Sequence, residues 1–238
     1  MNELANKNLS RIVTENYQAA RVFEKYGLDF CCKGKRPLQE ACDEKGIATE
    51  QLLGELEAAI ALPATGNDFN QMSLTELAEY IVRVHHSYVR LNMPQIISYV
   101  HRVATKHGDR YPYMIQVFNL FAELQDEMTH HMMKEEKVLF PRIKMLEIEE
   151  PQNGVDYLQA PIDMMEAEHD RAGTIMQQIR ELTSDYAAPA GACTTFQLSL
   201  SSLRAFEEDL HQHVHLENNI LFPKSIQKFE QVKTASVY

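Results

Sequence analysis

Two segments of this chain nearly repeat each other, and what they place on a helix face limits how the chain can fold. His131-Met132-Met133-Lys134-Glu135-Glu136-Lys137-Val138-Leu139-Phe140-Pro141 and His213-Val214-His215-Leu216-Glu217-Asn218-Asn219-Ile220-Leu221-Phe222-Pro223 both read His-x-x-x-Glu-x-x-(Val or Ile)-Leu-Phe-Pro, 82 positions apart. Residues four apart lie above one another on an α-helix. Both pairs fall inside apolar stripes: Leu124, Met128, His131, Glu135 and Val138/Leu139 in one, Leu203, Phe206, Leu210, His213, Glu217 and Ile220/Leu221 in the other. Two further histidines, 84 positions apart, interrupt stripes in the same way. His85 follows Leu74, Ala78 and Ile81 and precedes Tyr88. His169 follows Ile162 and Met165 and precedes Ala172/Gly173, Met176 and Ile179. The region reads as two copies of one helical hairpin, each with a lone His on its first helix and a His-x-x-x-Glu on its second.

The boundaries fit four helices. Ser73-Leu74-Thr75-Glu76 is a capping-box signature for the first, and Pro94 is expected to kink or interrupt that helix. The second begins near Tyr111-Pro112 and is expected to stop at Pro141. A polar loop around Pro151-Gln152-Asn153-Gly154 follows. The third runs from near Pro161 to Thr183. After Ala188-Pro189-Ala190-Gly191 the fourth is expected to end at Pro223. No run of β-branched or alternating residues suggests a strand. The expected class is all-α: an antiparallel four-helix bundle over 73–238. Before it, Leu62 to Asn70 carry Pro, Gly and Asn and no stripe, so 62–72 reads as a linker. Residues 1–61 read as a small helical domain. One helix there spans Ile12, Val13, Tyr17, Ala20 and Phe23 and stops at Gly27. A second runs from Pro37 to near Gly46, and a third covers Leu52 to Ile60.

Composition narrows the partners. The formal net charge is −11, which repels phosphate and argues against nucleic acid or an anionic membrane as partner. No apolar run approaches the roughly 20 residues that span a bilayer, and no basic-then-apolar leader opens the chain. A cytoplasmic location is expected. The four cysteines, Cys31, Cys32, Cys42 and Cys193, are too few and too oddly spaced for a disulfide scaffold.

A lone ionised carboxylate inside a core costs several kcal/mol unless it is paired or metal-bound. Two inward glutamates and four inward histidines make sense around a shared cation. Imidazole and carboxylate without thiolate suit iron, manganese or zinc. Six protein ligands exceed what one tetrahedral zinc takes, so a dinuclear iron site is preferred. The remaining histidines fall off these stripes. His86, His130, His211 and His215 are expected to point elsewhere, toward solvent. His101 and His107 follow Pro94; a surface role fits His107 better than one near the site. Glu136 is read as a solvated neighbour of Glu135. The adjacent Cys31 and Cys32 sit beside Lys33 and Lys35, and a positive field there favours the reactive thiolate. Redox chemistry, thiol exchange and transient metal capture are all open to them, as is no chemistry at all.

The bundle with its two His-x-x-x-Glu segments is similar to the hemerythrin-like domain, and Glu168-His169-Asp170 and Leu216-Glu217-Asn218-Asn219 strengthen the match. With Asp29-Phe30-Cys31-Cys32 in a short helical leader, nearly the whole chain resembles the di-iron family for repair of iron-sulfur clusters, the RIC family. The resemblance implies two non-haem irons held by His85, His131, His169 and His213, with Glu135 and Glu217 bridging them. It implies a stress-response role in restoring clusters damaged by nitric oxide or oxidants by supplying iron. It also implies bacterial, cytoplasmic and often dimeric proteins, with damaged iron-sulfur proteins as partners and nitric oxide or oxygen as small ligands. One departure is Lys33, where the family pattern has the first of two glycines. Two other readings stand beside repair: a di-iron nitric oxide reductase, and a module that binds or senses oxygen or nitric oxide.

Overall fold

The computed structural model describes residues 3–62, 67–148 and 158–235. The polar loop expected at 151–154 and the Pro63–Gly66 part of the linker lie outside them. Helices are the regular elements of the described residues, and an isolated bridge between Asn8 and Pro37 is their sole β-type pairing.

Four rods make the bundle. The first is α5 (Leu74–Ile81) continued by α6 (Ser87–His107). The second is α7 (Tyr113–Lys134) continued by α8 (Phe140–Ile148). The third is α9 (Gln159–Leu182), and the fourth is α10 (Thr194–Leu216) continued by α11 (Phe222–Ala235). α6 packs on α7 and α10, α7 on α9, and α10 on α9, while α5 meets α8. Consecutive rods therefore run antiparallel in a closed ring, the all-α bundle that the stripes predict.

Three of the rods are joined by one π turn each: Val82–His86, Glu135–Leu139 and Glu217–Leu221. In each, an N–H reaches back five residues: Ser87 to Val82, Phe140 to Glu135 and Phe222 to Glu217. The prolines therefore act differently from expectation. Pro94 sits inside a continuous α6, and Pro141 and Pro223 open new helical segments rather than closing old ones. A proline has no N–H to give, so it fits just after a turn where the hydrogen-bond spacing has already changed.

The leader holds α1 (Leu9–Glu15), α2 (Ala19–Lys25), α3 (Leu38–Lys45) and α4 (Thr49–Ile60). The single first helix that was expected is two, broken over 16–18. α3 starts after Pro37 and ends on Gly46 at φ +64°, a left-handed cap that favours glycine. The leader lies along α9 and α10: Phe30 meets the rings of His211 and His215 at 6.0 and 5.6 Å, and His211 Nδ1 pairs with Glu24 at 2.7 Å. Linker residue Phe69 is buried between Tyr17 and Tyr80.

Apolar packing falls into two clusters. One joins the leader to α6, α7, the C-terminal half of α9 and α10; the other gathers α5, α8, the start of α9 and residues 216–222. A belt of buried polar side chains lies where the two meet.

Candidate metal centre

That belt contains His85, His86, His131, Glu135, His169, His213 and Glu217, each at most 2 % exposed. Glu135 and Glu217 open the second and third π turns, and His86 closes the first. The geometry divides into two overlapping groups. One is His86, Glu135, His213 and Glu217; the other is His131, Glu135, His169 and Glu217; ligand atoms within each lie within 4.8 Å of one another. Both groups contain both glutamates.

Neighbouring atoms are 3.0–3.3 Å apart. His86 Nε2 is 3.2 Å from His213 Nε2 and 3.2 Å from Glu135 Oε2. His131 Nε2 is 3.0 Å from His169 Nε2 and 3.3 Å from Glu135 Oε2. Glu217 lies 3.2 Å from His169 Nε2 and 3.1 Å from His213 Nε2. Two ligands about 2.1 Å from one ion and at right angles to it would be about 3.0 Å apart. The spacing is thus that of edges in a coordination sphere.

The carboxylates supply a second test. Both oxygens of Glu135 and Oε2 of Glu217 are buried without a hydrogen-bond donor. Two buried carboxylates with three oxygens left unpaired at the centre of a fold need compensating positive charge. Without a cation, protons fill the role. Burial opposes a charged His131, but Glu135, and then Glu168, outweigh it and raise its pKa to about 10. Those protons leave when a cation enters.

The outer ring nitrogens fix which way the inner ones point. His86 Nδ1 donates to Glu136 at 2.6 Å, His131 Nδ1 to Glu168 at 2.9 Å, and His169 Nδ1 to Asn218 Oδ1 at 2.8 Å. Arg90 holds Glu136 at 2.6 Å, and Lys134 holds Glu168. Each bond leaves Nε2 with its lone pair aimed inward, as a metal ligand needs. His213 Nδ1 is buried without such a partner. A cleft of about 250 Å³ between α7 and α9 reaches His131 and Glu168 from solvent.

Five of the six sequence-derived residues meet: His131, Glu135, His169, His213 and Glu217. His85 does not join them. It is buried beside the cluster, Nδ1 on Asp209 at 3.0 Å and its ring stacked 5.6 Å from that of His213. Its expected place is taken by His86, which had been expected to face solvent. The π turn explains the exchange, because it takes one extra residue and brings every later position inward one step late. The same shift makes Val89 the buried residue where Tyr88 was expected, and leaves Val138 exposed while Leu139 is buried.

Other expectations change for different reasons. His215 is fully buried and His211 partly buried, because the leader covers the outer side of α10. His130 is exposed, as expected. Glu136 is half-buried and engaged by His86 rather than merely solvated. His107 lies beyond the centre, 3.5 Å from Cys193 Sγ at the far end of the bundle. The sequence reading missed His86, Glu136, Asn218 and Asp209 as members of the site. All but Asp209 adjoin residues it had named.

Cys31 and Cys32 sit apart from the belt, their sulfurs 3.8 Å from each other. The expected positive field does not govern Cys31. The hydrogen bond to Cys32 and then burial push its thiol well above the ordinary range. Lys35 is turned to Glu166 at 3.4 Å, and Lys33 is exposed. Lys33 also keeps a negative φ, so the missing glycine strains nothing. At Gly34 a glycine is required: a Cβ there would lie 2.1 Å from the Phe30 carbonyl oxygen.

The profile of the hemerythrin HHE cation binding domain matches residues 77–225. The chain belongs to the hemerythrin family. Residues 5–60 match a second profile, described as a domain of unknown function, DUF542. Similar over nearly their whole length are proteins named iron-sulfur cluster repair protein YtfE. That of Pectobacterium atrosepticum is 33% identical over 221 residues, covering 93% of this chain and 97% of the relative. Those of Dickeya chrysanthemi and Yersinia pseudotuberculosis are 33% and 32% identical over 222 residues, with the same coverage. A hemerythrin domain binds iron, and the donor set at the centre of this bundle fits that ion.

Proposed function

We propose that this chain is a cytoplasmic di-iron protein that restores iron-sulfur clusters damaged by nitric oxide or oxidants, by supplying iron to the damaged protein. The observation that carries the iron count is the presence of Glu135 and Glu217 in both ligand groups. In this reading His86 and His213 would hold one iron and His131 and His169 the other, with Glu135 and Glu217 common to both ligand groups. The repair role rests on the relatives' names and their match to both parts of the chain.

A pair of irons there would supply redox chemistry and open positions for nitric oxide or oxygen. The chain's own residues set how firmly the metal is kept. Glu136, Glu168 and Asn218 orient three imidazoles. The apolar layers above and below exclude water from the glutamates. No thiolate belongs to the cluster, so the metal is held by nitrogen and oxygen alone, a set that exchanges iron more readily than sulfur ligands do. Two glutamates cancel only part of the charge of two irons, which also favours release to a client.

The test is reactivation of an iron-sulfur enzyme inactivated by nitric oxide. The iron-loaded chain is expected to restore activity faster than an equal amount of free ferrous iron, and Glu217→Gln is expected to lose the advantage. Recovery no faster than with the free ion would refute iron supply.

A further inference from the structure

Among the described residues, one set of side chains outside the belt brings three metal-binding groups together. Asp29, Cys31 and Cys32 each offer a ligand atom, all within 4.8 Å of one another. They are held there by local structure. Asp29 Oδ1 accepts from the Cys31 N–H at 3.0 Å and the Cys32 N–H at 2.9 Å, and lies 3.2 Å from Cys31 Sγ. The tight passage at Gly34 closes the loop behind them.

We propose that Asp29, Cys31 and Cys32 form a second, independent metal site that takes a thiophilic divalent cation such as ferrous iron. Two sulfurs and one carboxylate are a soft-to-borderline set, distinct in chemistry from the nitrogen and oxygen donors of the belt. Three ligands leave a coordination position open, as in catalytic zinc sites, whereas structural zinc sites close with four. The open side is accessible. Asp29 and Cys32 line a cleft of about 330 Å³ between leader and bundle, and Asp170 lines the same cleft. Cys31 Sγ is covered, so an ion would enter from the Cys32 side.

The site also touches the elements that carry the belt. Cys32 Sγ is 3.5 Å from the backbone oxygen of His169, and Asn219 Nδ2 donates to the Cys31 carbonyl at 3.4 Å. Asn219 follows Asn218, which holds His169. An ion drawn onto Cys32 would therefore pull on the turn of α9 that positions one belt imidazole. If the belt stores iron as proposed above, this site is placed to receive or hand on that iron.

Cobalt(II) separates the two sites, since only thiolate ligands give intense sulfur-to-cobalt charge-transfer absorption in the near ultraviolet. The full-length chain, metal-free and reduced, is titrated with cobalt(II) alone. The band is expected in the native chain and in Glu217→Gln, whose belt is impaired. In the Cys31→Ser/Cys32→Ser double variant it should vanish, with about one cobalt fewer bound per chain. That variant should keep the weaker visible absorption of cobalt in the belt, which shows that it is folded. Two results would overturn the proposal: no band in the native chain, or a band that survives the double change and disappears in Cys193→Ser. Loss of belt cobalt alone would count against the di-iron reading and leave this site standing.

Discussion

The first and third rods occupy matching places in the two halves of the bundle, each supplying one imidazole, yet they are built differently. α9 runs unbroken from Gln159 to Leu182, and His169 sits on its inner face where a 3.6-residue period puts it. The first rod changes hydrogen-bond spacing at Val82–His86, and there the inner imidazole belongs to His86 instead of His85. A stripe read at constant period is dependable only while the helix stays α. One extra residue in a turn rotates every later side chain by about 100°. π turns are rare and are frequent at functional sites, and here three of them meet around one cluster.

The sharpest way to break this comparison is to exchange neighbours. His86→Ala should lower iron affinity by more than about 100-fold, because it removes an inner nitrogen, whereas His85→Ala should cost about tenfold or less. Iron retained after dialysis against a chelator measures both. Equal losses would mean that the π turn does not select between them. His169→Ala should match His86→Ala, since the unbroken and the broken rod each supply one imidazole to the same belt.

These expectations also show where the sequence was legible. Ser73 and Glu76 announced the start of the first rod and form the capping box with bonds of 3.1 and 2.8 Å. The inward Glu135 and Glu217 were legible because a carboxylate in an apolar stripe demands an explanation. The repeated Leu-Phe-Pro was visible but its meaning was not: it marks the exit from a π turn, and proline alone looks the same at a helix end. His215 was illegible for another reason. Its burial depends on Phe30, 185 positions away in the chain, and no local pattern encodes that contact. Glu168 was seen beside His169, but the partner it holds, His131, lies on another rod.

A smaller effect tests how the two rods orient their imidazoles. His169 leans on a neutral amide, Asn218, and His86 on a carboxylate that Arg90 also holds. Removing either outer partner should weaken iron binding by about 10–100-fold. Glu136→Gln keeps an acceptor of the same shape and should fall at the lower end. Asn218→Leu removes the acceptor and should fall at the upper end. Isothermal titration with ferrous iron under anaerobic conditions would rank them, and the reverse order would show that charge rather than orientation is what the outer layer contributes.

The smallest difference lies at the starts of the two rods. α9 begins at Gln159, and its N-cap Leu158 gives no side-chain cap. α5 is capped by its own Ser73 and also by Glu147 of the second rod, which accepts from the Leu74 N–H at 2.7 Å and the Thr75 N–H at 2.9 Å. Burial works against that carboxylate, but the bonds from Thr75 and Leu74 hold its pKa below the ordinary value. A carboxylate with a depressed folded-state pKa stabilises the fold above its unfolded value, near 4.3, and the contribution disappears as pH falls through the folded value. Glu147→Ala should therefore cost about 1 kcal/mol at neutral pH and progressively less in acid, where the native carboxyl is itself protonated. Urea unfolding of the metal-free chain at neutral and acidic pH would show the gap between variant and native closing. A gap that stayed constant would mean that Glu147 acts through packing, and that the two rods start alike in their electrostatics.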